Sequence, residues 1–267
     1  MFSKAITTSR LASCATFLLA LGAKGAFGDT AIDNDTFQND PAGAAIQAAP
    51  LWFLPTSTCF RSPAEVNGEQ TNGNDPDNCN INKIDNNCPQ QPDWQGAYTK
   101  ANSFPTYYYV KYCGDLDQWR ILYDVYFTKD TGHKSDWEWA VINNGNGGYN
   151  RDSVIMEQEG NHGYSAWSSI PEAFIDNIYN NDGSNGNHAK LYVAKWHHSI
   201  QTSPNSSFKS TCPPGFKDDF RANDYYWVAS DNLVSDDVID PSWVWGKADS
   251  FPASFHDGGA HDICRNL

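Results

Sequence analysis

The stretch Lys129-Asp130-Thr131-Gly132-His133-Lys134-Ser135-Asp136-Trp137-Glu138 concentrates acids and an imidazole within ten residues. Alternate residues of an extended strand share a face, so Asp136 and Glu138 point together, opposed by Trp137. The expectation is a tryptophan in the core and two outward carboxylates, with Asp130 and His133 folding back toward them from the preceding turn. Three carboxylates and one imidazole form an oxygen-rich set suited to a hard divalent cation, Mg²⁺, Ca²⁺ or Mn²⁺. A cation would also offset the repulsion between like charges on neighbouring same-face positions. Spacing leaves two other readings open. One is an exposed acidic turn; the other is an acid–base pair acting on a glycoside, which needs carboxylates about 5–9 Å apart.

The remaining candidates are single histidines. His162 lies in Gly160-Asn161-His162-Gly163-Tyr164, where a turn can hold a site-lining residue. His188 and the tandem His197-His198 bracket an apolar run, and on an extended strand His197 and Trp196 face opposite sides. No Gly-x-Ser-x-Gly elbow, His-Glu-x-x-His helix or phosphate-cradling glycine loop occurs. Serine-hydrolase, zincin and nucleotide-enzyme chemistry are unsupported, and the expectation is a protein that is not an enzyme.

The elements that must position these residues are strands. Residues 119–127 alternate, with Trp119, Ile121, Tyr123, Val125 and Phe127 on one face. Further strands are predicted over 107–112, 137–142, 153–156, 191–196 and 225–228, with a Gly/Asn-rich turn at 143–150. One helix is predicted over 169–178, capped by Ser169. Short strands with long irregular connections predict a mainly β protein, a two-sheet β-sandwich spanning 49–267 as a single domain with a few short helices. Residues 29–48, acidic and small, read as a flexible arm. Residues 67–95 read as an Asn-rich insert pinned by disulfides.

Composition narrows the function classes. With 18 Lys+Arg against 32 Asp+Glu the formal charge is −14, so the basic footprint needed for nucleic acid is missing. Ten tryptophans are too many for a disordered acidic chain. Residues 1–28 carry Lys4 and Arg10 before an apolar run and small residues at Gly22, Gly25 and Gly28, the pattern of a cleaved secretory signal. That run is too short and glycine-broken for a transmembrane anchor. Cys14 falls inside the leader, leaving Cys59, Cys79, Cys88, Cys113, Cys212 and Cys264, which suggests three disulfides in an exported chain. Asn34 and Asn205 begin glycosylation sequons.

Gly132-His133-Lys134-Ser135-Asp136-Trp137-Glu138 resembles the Gly-His-Arg-His-Asp-Trp-Glu heptad of the necrosis- and ethylene-inducing peptide 1-like (NPP1) proteins, secreted by plant-associated fungi, oomycetes and bacteria. The frame is similar as well. Pro55–Phe60 with Pro63–Gly68, Tyr123–Asp130, Asn161–Tyr164 and His188–Tyr192 resemble family segments in order, over roughly residues 50–260. The resemblance implies a β-sandwich like that of actinoporins and fungal lectins, and a cation held by Asp130, His133, Asp136 and Glu138. It implies binding of glycosylated inositol-phosphoceramide sphingolipids in the outer leaflet of the plant plasma membrane, followed by permeabilisation without covalent chemistry. Lys134, Ser135, His162 and His188 would line the headgroup site of a protein monomeric in solution.

Several positions depart from the family pattern. Ser135 stands where the family has a second histidine, Thr128 where it has proline, and Asp130 precedes His133 by only three residues. Six cysteines and the Asn-rich insert mark a divergent, fungal-type branch. The expected function is therefore a cytolysin or a non-cytolytic relative that binds a glycan. The alternatives are an extracellular metal-dependent polysaccharide-active enzyme, with Glu138 or Asp136 as base, and a protein recognised by the host but lacking a working site.

Overall fold

Two sheets pack face to face around the alternating residues of the longest strands. The computed structural model describes residues 31–56, 58–76, 78, 80, 86–91, 104–145, 149–158, 160–170, 188–195, 197–204, 220–227 and 232–267. The leader at 1–28, Cys79, Cys212, Asn205 and nearly all of the helix predicted over 169–178 lie outside them. Strands β1 (Leu51–Pro55), β2 (Glu65–Val66), β3 (Glu69–Gln70), β4 (Thr106–Cys113), β5 (Gln118–Lys129) and β6 (Lys134–Gly145) come first in the chain. They are followed by β7 (Asn150–Gln158), β8 (Asn161–Ala166), β9 (Lys190–Val193), β10 (Ile200–Gln201), β11 (Phe220–Trp227) and β12 (Leu233–Ser235). One sheet runs β12-β4-β5-β6-β7-β8, the other β10-β9-β1-β11, and β2-β3 forms a separate hairpin. The predicted β-sandwich is the observed architecture.

Between the sheets, Ile121, Tyr123, Val125 and Phe127 of β5 meet Trp52 and Leu54 of β1 and Leu191 and Val193 of β9. This is the apolar face that alternation predicts. The opposite face of the six-stranded sheet is also buried. Residues 236–267, built from turns and 3-10 segments, lie over it. Tyr107, Tyr126 and Trp137 pack there against Ile239 and Trp245, and Leu122, Trp139 and Val141 against Phe255 and Ile263. Strand β5 is therefore buried along nearly its whole length. The Cys113–Cys264 disulfide and a 2.5 Å hydrogen bond from Arg120 Nη1 to the Ile263 carbonyl hold this C-terminal layer down.

The stretch expected to be a flexible arm folds instead into α1 (Asn34–Asn39) and α2 (Pro41–Ala48). Asp33 and Asp40 supply the N-caps, Pro41 opens α2, and Phe37, Ala44, Ala45 and Ala48 are buried in the inter-sheet core. Small side chains let α2 approach closely, and its free carbonyls are satisfied: Tyr123 Oη donates to Ala45 O at 2.6 Å and His188 Nδ1 to Ala49 O at 2.6 Å. Asn34, a glycosylation candidate, accepts a hydrogen bond from Trp119 Nε1 at 2.9 Å through its Oδ1.

The Asn-rich insert positions the site. Asn67 and Gly68, at φ 56° and 82°, turn the β2-β3 hairpin, a geometry that Asn-Gly favours. Beyond it the chain runs alongside the end of β5, with Asn74 N donating to Thr128 O at 2.6 Å and Asn78 N to Thr131 O at 3.0 Å. The Cys59–Cys88 disulfide closes the segment. Among the described residues no helix is long and apolar enough to cross a membrane.

Candidate cation site

The hairpin between β5 and β6 is tight. Lys129 pairs with Lys134, and Asp130 N donates to His133 O at 3.1 Å, leaving Thr131 and Gly132 as the loop. One carboxylate oxygen of Asp130 caps this turn, accepting from the N–H groups of Gly132 and His133, the latter at 2.6 Å. Its other oxygen, Oδ2, lies 3.5 Å from His133 Nε2 and 3.4 Å from His197 Nδ1. The short spacing between Asp130 and His133 is thus accommodated by a turn that the aspartate itself stabilises.

Strict alternation would place His133 and Asp136 on opposite faces. Ser135 breaks the alternation by adopting φ 56°. Its carbonyl faces His133 Nδ1 at 2.8 Å, and a carbonyl can only accept, so Nδ1 carries the proton. Nε2 is the ring nitrogen turned toward Asp130, the one placed to face an ion. Gly73 passes so close that a Cβ there would lie 2.5 Å from Ser135 N and Oγ.

Asp136 and Glu138 share a face, as the spacing predicts, but that face does not point outward. Asp136 pairs with Phe127 and Glu138 with Val125, so both carboxylates enter the open end of the inter-sheet layer, 7 % and 2 % exposed. Trp137 opposes them under the C-terminal layer. The β6-β7 ladder ends at Ala140 and Met156, and beyond it Glu157 comes within hydrogen-bond reach of Glu138. Burial, followed by the charges of Glu157 and Asp136, raises the Glu138 pKa well above the usual carboxylate range. Burial also pushes Asp130 upward. The His197 hydrogen bond, the His133 charge and the turn N–H groups outweigh it, and the Asp130 pKa is lowered.

Two histidines complete the constellation. His198, at φ 51°, stacks on Phe127 with ring centroids 3.9 Å apart, and its Nδ1 lies 2.7 Å from Asp136 Oδ2. The left-handed residue after the β9 strand lets His197 and His198 both reach the site. Their tandem occurrence is the only sequence signal for this, since alternation assigns them opposite faces. Glu157 carries no signal of its own and is placed by the end of the ladder.

Among the described residues two trios offer ligand atoms within 4.8 Å of one another: Asp130, His133 and Asp136, and Asp136, Glu138 and His198. Glu138 Oε2 is buried with no N–H or hydroxyl donor bonded to it. Clustered carboxylates with an orphaned oxygen fit a hard divalent cation. Two adjoining clefts of about 190 and 350 Å³ open onto the set, both lined by His133, Asp136, Glu138, Glu157 and Lys247. His162 lines the first, beside His261 of the C-terminal layer.

The other expected site residues lie elsewhere. His188 is 2 % exposed and lines neither cleft. Burial, followed by the charge of Arg151, lowers its pKa to about 3, and it stands apart from the expected headgroup-lining set. Lys134 is exposed and pairs with Asp75 at 2.6 Å. Ser135 Oγ meets Tyr126 Oη at 2.9 Å, on the face away from the carboxylates. Both line a separate groove with Gly73 and Val244.

No protein-family model matches the sequence, and no curated protein matches it. Among solved structures, the chain is similar to necrosis and ethylene inducing protein 2 from the causal agent of witches' broom disease of cocoa. That match has 18 % identity over 87 % of this chain and 99 % of that one, with a TM-score of 0.49. It is also similar to NLPPya, as a mutant (17 % identity, 82 % and 85 % covered, TM-score 0.46). The complex of NLPPya with mannosamine gives 17 % identity, 77 % and 80 % covered, and a TM-score of 0.45.

Proposed function

We propose that the chain is a secreted protein of the necrosis-inducing type. In this reading it binds the sugar headgroup of a glycosylated inositol-phosphoceramide through a divalent cation and permeabilises the plasma membrane without covalent chemistry. The observation that carries the reading is the convergence of Asp130, His133, Asp136 and Glu138 at an open cleft, with one Glu138 oxygen buried and without an N–H or hydroxyl donor. The cation would supply coordination positions for sugar hydroxyls. Asp130 and Asp136 are oriented for this by their own hydrogen bonds, the first by the turn N–H groups and the second by His198. Disulfides at Cys59–Cys88 and Cys113–Cys264 support export to an oxidising compartment.

Dye leakage from vesicles with and without the glycosylated lipid, with the lipid analysed afterwards, tests the proposal. Leakage that requires the glycolipid and a divalent cation, leaves the lipid intact and disappears in Asp136→Ala is the expected result. Equal calorimetric cation affinity in wild type and Asp136→Ala would refute the ligand assignment.

A second reading, a metal-dependent polysaccharide-active enzyme with Glu138 as base, draws on the burial of Glu138 beside Glu157, which raises its pKa and strengthens it as a base. Release of reducing or unsaturated sugar ends would establish it.

A further inference from the structure

Arg61 is 2 % exposed, and its Nε, Nη1 and Nη2 are buried without a hydrogen-bond partner. Its guanidinium carbon lies 4.5 Å from the ring centroids of Trp52 and Phe104 and 5.5 Å from that of Phe127. Trp52 belongs to one sheet and Phe127 to the other, so the cation sits within the inter-sheet layer. Ring faces attract a cation, but they do not replace the hydrogen bonds that five N–H groups make in water. A buried charge of this kind persists when an opposite charge faces it.

The acid that acts on it through space is Glu138 of the carboxylate cluster. Phe127 links the two: Arg61 lies over its ring, His198 stacks on it at 3.9 Å, and His198 is bonded to Asp136 at 2.7 Å. Val125 and Phe127 stand opposite Glu138 and Asp136 on the same inter-sheet face. Burial drives the Arg61 pKa down, and Glu138 is the strongest charge opposing that fall. At the solvent side, the exposed Lys247 is the only Lys or Arg among the described residues lining either cleft. The cluster therefore faces a fixed cation on its inner side and solvent on its outer side.

We propose that Arg61 is a positioning residue for the cation site, an internal countercharge that holds Asp136 and Glu138 in place before a divalent ion binds and moderates how tightly that ion is held. This rests on the cation-site reading above. A fixed positive charge behind the ligands stabilises the cation-free cluster and repels the incoming ion, so its removal makes the fold depend more strongly on the ion.

The test is the melting-temperature rise on adding Ca²⁺ to wild type, Arg61→Met and Arg61→Lys. Arg61→Lys should keep a rise close to that of wild type, and Arg61→Met should show roughly double. An Arg61→Met protein that folds only when Ca²⁺ is present gives the same answer in extreme form. Equal rises in wild type and Arg61→Met would overturn the proposal, because a purely packing role lowers both melting temperatures together. Failure of Arg61→Met to fold with or without Ca²⁺ would overturn it too. If Ca²⁺, Mg²⁺ and Mn²⁺ all leave wild type unchanged, the cation site itself is refuted, and the countercharge proposal with it.

Discussion

Acid should unfold this protein through a buried histidine that lines neither cleft. His188 donates Nδ1–H to the Ala49 carbonyl at 2.6 Å, and burial, reinforced by the charge of Arg151, lowers its pKa from 6.5 to about 3. A folded-state pKa below the unfolded one gives stability that is full above pH 6.5 and lost as pH falls toward 3, because the unfolded chain takes up the proton first. At 1.36 kcal/mol per unit, moving from about pH 6.5 to about pH 4.5 removes ~3 kcal/mol, a large share of a typical fold's stability. Urea unfolding across that range should reveal the loss in wild type. His188→Asn retains a donor for Ala49 and cannot be protonated; it should be less stable at pH 7 and show that much less loss toward acid. Its cation affinity at pH 7 should match wild type. Parallel pH profiles for the two proteins would refute the assignment of acid sensitivity to His188, and a changed cation affinity would return it to the site.

Other perturbations have equally definite outcomes. Replacing Cys113 and Cys264 by serine opens a linkage across 151 residues, and chain entropy predicts a loss of about 5 kcal/mol by urea unfolding; an unchanged midpoint would show that the C-terminal layer docks without it. Ser135→His should lower the melting temperature by a few degrees, an effect of ~1–3 kcal/mol from forcing a larger side chain beside Gly73 and losing the Tyr126 hydrogen bond, without raising vesicle leakage. The residue sits at φ 56° against Gly73, facing away from the carboxylates, and increased leakage in a normally stable variant would contradict that placement. His256 Nε2 lies 2.6 Å from Asp236 Oδ2, with Tyr109 tilted against its ring and Asp237 and Asp257 nearby. The Asp236 hydrogen bond raises the His256 pKa above 6.5, so its stabilisation is full below that pH and lost as pH rises through the folded-state value. Melting temperatures between about pH 6 and pH 8 should fall in wild type and less in His256→Gln; identical slopes would refute the coupling.

How much of this was legible in the sequence depends on what periodicity can encode. The alternation of Ile121, Tyr123, Val125 and Phe127 identifies the inter-sheet face of β5 directly. Leu122, Tyr126 and Trp139 are equally buried, yet the layer covering them consists of turns without periodicity, so nothing local announces it. Alternation likewise says that Asp136 and Glu138 share a face, but it cannot say which face is inside. Composition misleads at residues 34–48, where alanines look unfit for a core although Asp33, Asp40 and Pro41 supply readable helix starts. The convergence of His133, His197 and His198 depends on left-handed backbone at Ser135 and His198, which no pattern of side chains predicts for those residue types.

The C-terminal layer makes the site a late product of folding. Lys247, Asp249, Ser250 and His261 form a wall of the first cleft, and all follow residue 235, more than a hundred residues after the carboxylate hairpin. Loop-closure entropy delays such distant contacts until nearer ones have formed. During biosynthesis, Trp137 and Trp139 stay uncovered and that cleft stays unwalled until residues 236–267 arrive and Cys113 finds Cys264. A nascent chain paused before that point carries the acids but not the finished recess.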